Sequence, residues 1–415
     1  MQPVSFVQRA LLIILCVILV MPLTFCVLYR LPHQLMPPFL KHMVDRVANV
    51  SLAGMTTNTL RVPFNSKNWW NGDFQHYVES QYRGNFGFRR PALRLYNQLL
   101  FDVFRSSSMY DSSIVIGKHS ELYEWSYVRD ACGLHSPMAQ LEADQLAQDL
   151  KSVQLQFEQS RKDFIVLITP SKAVTIPDNI PDRLCPNRLS SDTNYSRVVP
   201  LLDKEGIRFI DGQAITLEQA GLSGVPLFPL GGTHWGDLAD YKVTEALVAE
   251  INRSRFGHTL PVLKIRAQRI DTDPRGNEAD LLQLLNLARP NYTSEYLHID
   301  LEPAPASRSA ESLTFVGGSF TRGVVDFLVS ARAADVSLFY YYVLSKEVWP
   351  IAGVRVQYPV SANRDFAADF LTSDVVVLEM NVATIGGNHV RSFLDDALLY
   401  FSHVKSRTAD IGTQQ

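Results

Sequence analysis

The stretch Ser312–Ala334, "SLTFVGGSFTRGVVDFLVSARAA", decides the fold class. Leu313 to Val316 is short, mostly apolar and runs into a pair of glycines, so it reads as a buried strand. Gly317-Gly318-Ser319 is a tight turn, and apolar residues at helical spacing follow it. The same alternation runs through the body of the chain. "DFIVLITPSKA" (from Asp163), "IRFIDGQ" (from Ile207), "VSLFYYYV" (from Val336) and "DVVVLEM" (from Asp374) read as further strands. Met138–Ser160, "DLADYKVTEALVAEINRS" (from Asp237) and "VRSFLDDALLYFSH" (from Val390) read as helices. Strands that are apolar throughout and separated by helices predict an α/β fold with a parallel sheet covered on both faces. "SSIVIGKHSELYEWS" predicts two short strands around Gly117-Lys118, and Pro91–Phe104 a helix with Pro91 in its first turn.

The chain has 415 residues, 46% of them hydrophobic and 20% charged, with a net charge of −3. A basic footprint for nucleic acid is missing, so no nucleic-acid partner is expected. Ala10–Tyr29 holds twenty residues without a charge. At 1.5 Å per residue such a helix spans about 30 Å, one bilayer core. It predicts a single-pass signal anchor in residues 1–30, with the remainder exported. Residues 31–65 then read as a tether and 66–410 as the folded domain. Cys16 and Cys26 fall in the apolar segment, and Cys132 and Cys185 in the body. In an oxidising compartment the latter two either pair or remain buried thiols. No CxxC and no clustered Cys/His spacing points to a metal.

In an open α/β sheet the functional crevice lies beyond the carboxyl ends of the strands. Ser319 sits there, at the start of a helix whose free N–H groups favour developing negative charge. It is a candidate nucleophile, and equally a residue type that caps helices well. A serine nucleophile needs a base. His234, in "FPLGGTHWGDLADY" (Phe228–Tyr241), follows a Gly-Gly turn and precedes a helix, and His389 in "IGGNHVRS" competes with it. Gly318, Asn381 and Asn388 are candidate oxyanion or substrate-binding residues, and Arg322 reads either as a solvated helix-start arginine or as a contact for an anionic substrate or donor group. Ser171-Lys172 follows a strand end and reads as structural or as part of the rim.

The ordered set "NWWNGDFQHYVESQY…NFGFRRPALRLYNQLL", "VIGKHSELYEW", "LITPSKAVTIPDNIP", "GGTHWGDLADYKVTEAL", "GNEADLLQLLNL" and "VGGSF" resembles the alginate O-acetyltransferase family, the AlgJ/AlgX-type SGNH-hydrolase-like proteins. The resemblance spans roughly residues 68–390. It implies a flavodoxin-like SGNH domain with a Ser-His-Asp triad that moves acetyl groups onto a periplasmic exopolysaccharide. It implies no cofactor, a multi-spanning membrane acyltransferase as donor, and a place at the inner membrane. It makes Ser319 the nucleophile and His234 the base, with Thr233 and Trp235 matching around the histidine. The family's aspartate, in an Asp-Thr-His-Trp motif, does not carry over, because its position is Gly232. Three accounts stay open. Asp237, or Asp240, replaces the acid; Ser319 and His234 work as a dyad; or catalysis is lost and the protein binds polysaccharide as a scaffold. An acetyl esterase would use the same residues with water as acceptor.

Overall fold

The computed structural model describes residues 61–412 except 86–88, 109–112, 188, 223, 291–292, 306–310, 342–344, 352–354 and 360–364, together with residues 12, 16, 20, 37 and 52–54. Apart from residues 12, 16 and 20, the apolar segment 10–29 lies outside the described residues. Among the described residues no helix is long and apolar enough to cross a membrane.

The chain divides into two compact units, Met1–Ser112 with Leu282–Asn291, and Ser113–Leu281 with Tyr292–Gln415. The first boundary falls inside the 66–410 span that the sequence reads as one domain. The smaller unit carries helices Ser66–Trp70, Asp73–Asn85 and Arg89–Leu99, the last continuing as a π-turn over Leu100–Phe104. Asn97 Nδ2 and Arg94 Nη1 donate to the carbonyls of Leu285 and Leu287, at 2.8 and 3.2 Å, which ties that helix to the returning 282–291 segment.

The larger unit begins with an antiparallel pair, β1 (Ile114–Ile116) and β2 (Leu122–Glu124). Its centre is a seven-stranded sheet. Five strands are parallel: β3 (Asp163–Thr169), β4 (Phe209–Asp211), β7 (Ser312–Val316), β8 (Asp335–Tyr340) and β11 (Val375–Asn381). These are the five strands read from the sequence. An antiparallel extension, β9 (Ser345–Trp349) with β10 (Val356–Pro359), completes the sheet, and β5 (Ile265–Asp271) with β6 (Tyr296–Leu301) forms a separate antiparallel ribbon. Their residues are mixed and half-exposed, so they lack the continuous apolar run that marks the others.

The sheet order is β10-β9-β8-β7-β11-β3-β4. Counted from β7 and wrapping from β11 to β3, the parallel strands stand in the order 2-1-3-4-5, the flavodoxin-like arrangement entered at its fourth strand. The crevice of that arrangement opens between strands 1 and 3, here β7 and β11.

Alternate residues of the central strands feed two buried layers. Ile165, Leu167, Val375 and Val377 pack with Val243, Leu247, Val324 and Leu328, from helices Asp237–Ile251 and Thr321–Ser330. Phe164, Val166, Val376 and Leu378 pack with Leu146, Leu150, Phe157 and Phe393, from helices Gln140–Gln159 and Asn388–Gly412. Helices therefore cover both faces, which is why these strands carry apolar residues on both.

Cys132 and Cys185 are bonded, with Cα atoms 5.2 Å apart and a sequence separation of 53. By loop-closure entropy, Cys132→Ser should lower stability by about 2–4 kcal/mol. Denaturant melts with and without reductant test this, and a midpoint that moves in neither case refutes it.

Candidate active site

The nucleophile turn leaves the carboxyl end of β7, beside β11. Gly318 N–H donates to Glu379 Oε2 at 2.9 Å, and Glu379, buried on β11, takes a second hydrogen bond from Thr169 Oγ1 at 2.5 Å. The turn is thus moored to two neighbouring strands. Ser319 is left exposed, one residue from Phe320, which is buried.

The histidine loop is held from beneath. Lys172 Nζ, 1% exposed, donates to the carbonyls of Pro229, Leu230 and Gly232 at 2.6, 3.1 and 2.9 Å and pairs with Glu121 Oε1 at 2.6 Å. Burial pulls its pKa down, against the opposing pull of Glu121. An ammonium in this setting is a structural clamp, one of the two readings its sequence position left open. Gly236 N–H closes the loop onto Leu227 O at 2.8 Å, and the Asp237–Ile251 helix starts at once.

These two loops bring His234 and Ser319 together. His234 Nε2 lies 2.7 Å from Ser319 Oγ, and the imidazole packs on Phe320 with ring centroids 4.6 Å apart. The other ring nitrogen, Nδ1, lies 2.8 Å from Asp280 Oδ2. Asp280 Oδ1 accepts from Thr233 N–H at 2.9 Å and from Leu281 N–H at 2.8 Å. An ionised carboxylate only accepts, so Nδ1 carries the proton and Nε2 is free to accept from the serine hydroxyl. Ser319, His234 and Asp280 form a continuous hydrogen-bonded chain, the arrangement in which an imidazole can take a serine proton while a carboxylate orients it.

The carboxylate that meets His234 is therefore Asp280, not Asp237 or Asp240, and the Ser319–His234 pair does not stand without one. Asp237 Oδ2 accepts from Ile299 N–H on β6 at 2.8 Å, and burial raises its pKa to about 6. Asp240 is buried against helix Thr321–Ser330 at Gly323, where a Cβ would meet its Oδ2 at 1.8 Å; burial drives its pKa well above the usual carboxylate value. Asp280 belongs to "GNEADLLQLLNL", but it lies 46 residues beyond His234. No local spacing connects the two. An acidic residue there, taken with an empty acid position at 232, was the available signal.

Gly232 has a steric reason. A Cβ there would meet Glu278 O at 2.7 Å and Asn277 O at 3.0 Å. The segment that delivers Asp280 crosses over residue 232, so the side chain missing from one place makes room for the acid arriving from another. Gly232→Asp should therefore displace the 277–280 segment and lower both stability, by about 1–3 kcal/mol, and turnover. Melting and acetyl-ester assays test this, and unchanged or faster turnover refutes it.

The remaining candidates fall elsewhere. Gly318 lends its N–H to Glu379 and does not aim it at a substrate. Asn381 is buried; its Nδ2 donates to Thr169 Oγ1 and Pro170 O at 3.2 and 3.0 Å, while its Oδ1 caps Ala383 N–H at 3.0 Å. With its amide committed to the β3–β11 connection, it is not an oxyanion donor. Asn388 is exposed at the start of its helix and lies outside the cleft lining. His389 Nε2 sits 2.9 Å from Glu379 O and does not compete for Ser319. Arg322 does line the cleft, but it pairs with Glu347 at 2.7 Å and stacks over Trp349 at 5.0 Å.

The cleft has a volume of about 640 Å³, with His234 and Ser319 in its wall. His258, Glu311 and Asp374 form a group with metal-ligand spacing, but Asp374 Oδ2 is taken by Ser312 N–H and Oγ–H, with Lys162 3.7 Å from Oδ1. That cluster sits at the amino ends of β7 and β11, the opposite end from Ser319.

The model of the family described as "SGNH hydrolase-like domain, acetyltransferase AlgX" matches residues 122–340, more than half of the chain. The chain belongs to the AlgX family of SGNH hydrolase-like acetyltransferases. The match takes in His234, Asp280 and Ser319. Among curated proteins no sequence matches. Similar solved structures include the O-acetyltransferase domain of Pseudomonas putida AlgJ, at 14% identity, covering 66% of this chain and 92% of that one, with a TM-score of 0.43. Pseudomonas aeruginosa AlgX is 11% identical over 70% of this chain and 66% of its own, with a TM-score of 0.39. Bacillus cereus PatB1 is 9% identical over 67% and 98%, with a TM-score of 0.45.

Proposed function

We propose that this AlgX-family protein is a membrane-anchored periplasmic O-acetyltransferase that loads an acetyl group on Ser319 and passes it to a hydroxyl of an exopolysaccharide. The Ser319–His234–Asp280 chain, with contacts of 2.7 and 2.8 Å, carries the reading. His234 Nε2 takes the Ser319 proton as Oγ attacks the donor's acetyl carbonyl, and Asp280 stabilises the imidazolium. The donor's leaving group departs with that proton. A sugar hydroxyl then attacks the acetyl-serine while His234 takes its proton, and Ser319 Oγ leaves and recovers the proton from His234. The Ser319 N–H, at the start of the Thr321–Ser330 helix, is the oxyanion donor in this scheme. The residues need no metal or cofactor for either step. A multi-spanning membrane acyltransferase is the proposed donor partner.

The uncharged segment 10–29 and the Cys132–Cys185 bond both support an exported, anchored protein. The scaffold reading loses its motive, since it rested on the glycine at 232. The test is to treat the full chain with a chromogenic acetate, digest it and weigh the peptides. Acetyl on Ser319 is expected; an unmodified Ser319 together with no turnover refutes the reading.

A further inference from the structure

We propose that the smaller unit lies on the surface of an anionic lipid bilayer, with the outward apolar face of its helices set among the headgroups. The proposal rests on the membrane-anchored reading above and concerns the unit that holds none of Ser319, His234 and Asp280. Helix Arg89–Leu99 turns its polar side to the protein. Arg94 Nη1 and Asn97 Nδ2 donate to the carbonyls of Leu287 and Leu285, and Gln98 Oε1 accepts from Arg289 N–H at 2.9 Å. At 3.6 residues per turn Arg94, Asn97 and Gln98 share one side, and Leu95, Tyr96 and Leu99 the other. Those three are exposed, Leu95 at 60%, as are Val103 and Phe104 in the π-turn that follows. This is the reverse of a surface helix in a soluble domain, which points its apolar stripe inward.

The helices before it repeat the pattern. Phe64, Trp69 and Phe74 pack together with ring centroids 4.9–6.5 Å apart, yet Phe64 is 69% exposed, and Trp70, at the end of helix Ser66–Trp70, is 83% exposed. Single exposed apolar residues are ordinary, but a cluster of this kind marks a contact surface. Three observations make the occupant a bilayer. Residues 10–29, the proposed anchor, and the tether 31–65 lead directly into these helices. Residues 61–105 hold seven Lys and Arg against three Asp and Glu, in a chain with a net charge of −3, so this segment complements anionic headgroups. Tryptophan and tyrosine, each an apolar ring with a polar tip, are the residues that collect at membrane–water interfaces. A second copy would instead bring two like-charged surfaces together.

The test reconstitutes the full chain in vesicles of phosphatidylethanolamine and phosphatidylglycerol, in which part of the lipid carries bromine high on its acyl chains to quench tryptophan emission. Carbonate extraction comes first, and release of the chain overturns the anchor reading. Among the five tryptophans, Trp69 and Trp70 are exposed, whereas Trp125 is half-buried and Trp235 and Trp349 are buried. Bromine should therefore remove the part of the emission that Trp69→Phe/Trp70→Phe also removes, and leave the rest. Leu95→Glu/Leu99→Glu puts two carboxylates on the exposed side of its helix and should lower the quenching. Replacing phosphatidylglycerol by phosphatidylcholine should lower it as well. Both double variants should keep wild-type Ser319-dependent ester turnover in detergent, which shows the fold intact. A retained chain whose Trp69 and Trp70 emission bromine leaves unchanged, as it would if a second copy covered the face, overturns the surface proposal and leaves the anchor standing. Quenching that the Leu95→Glu/Leu99→Glu change and the neutral lipid both leave unaltered overturns it too, because the tether alone would then account for it.

Discussion

Ser319→Ala is expected to lower turnover of a chromogenic acetate by about 10⁴–10⁶-fold and to abolish the burst, as removal of the nucleophile does in other serine triads. The argument is chemical. Ser319 Oγ is the group 2.7 Å from the base, and it stands exposed in the cleft wall. Alanine leaves His234 and Asp280 in place but gives the acetyl group nowhere to go. The change removes one exposed oxygen, so the melting temperature should hold within a degree or so, given that exposed substitutions are usually worth less than about 0.5 kcal/mol. Equal rates in the two proteins would mean that the measured hydrolysis occurs elsewhere, and the assignment of Ser319 would fall.

Asp280→Asn should cost about 10⁴-fold in kcat with KM little changed. The amide would keep its oxygen for Thr233 and Leu281 N–H and turn its NH2 toward His234 Nδ1. Nδ1 must then accept, the ring proton moves to Nε2, and the base can no longer take a proton from Ser319. Asp237→Asn is the matched control. Its amide oxygen can still accept from Ile299 N–H, and it does not touch the imidazole, so kcat should stay within about threefold, the size of a change worth under 1 kcal/mol. The opposite pattern, with Asp237→Asn slow and Asp280→Asn fast, would return the acid to the first turn of the Asp237–Ile251 helix.

The division between sequence and tertiary structure is plain in these residues. Local pattern was enough for the five parallel strands, since strands covered on both faces tend to near-continuous apolar runs rather than strict alternation. For Ser319 and His234 it supplied candidates only, with a helix cap and His389 as alternatives, and the family resemblance singled the two out. Each follows a glycine turn and precedes a helix, and such turns fall at the carboxyl edge of a parallel sheet. Only the tertiary structure decided the order of those strands, with β11, last in the chain, inserted between β7 and β3. Strand order is set by which apolar faces meet across the sheet, and hydrophobic periodicity does not encode it. Only the tertiary structure supplied the acid. Asp280 reaches His234 because the 277–280 segment passes over a residue with no side chain, and Gly232 looked like a loss until that close approach was visible. Asn381 failed as an oxyanion donor for a related reason: what an amide does depends on which partners the fold has already given it, and those partners lie more than 200 residues away.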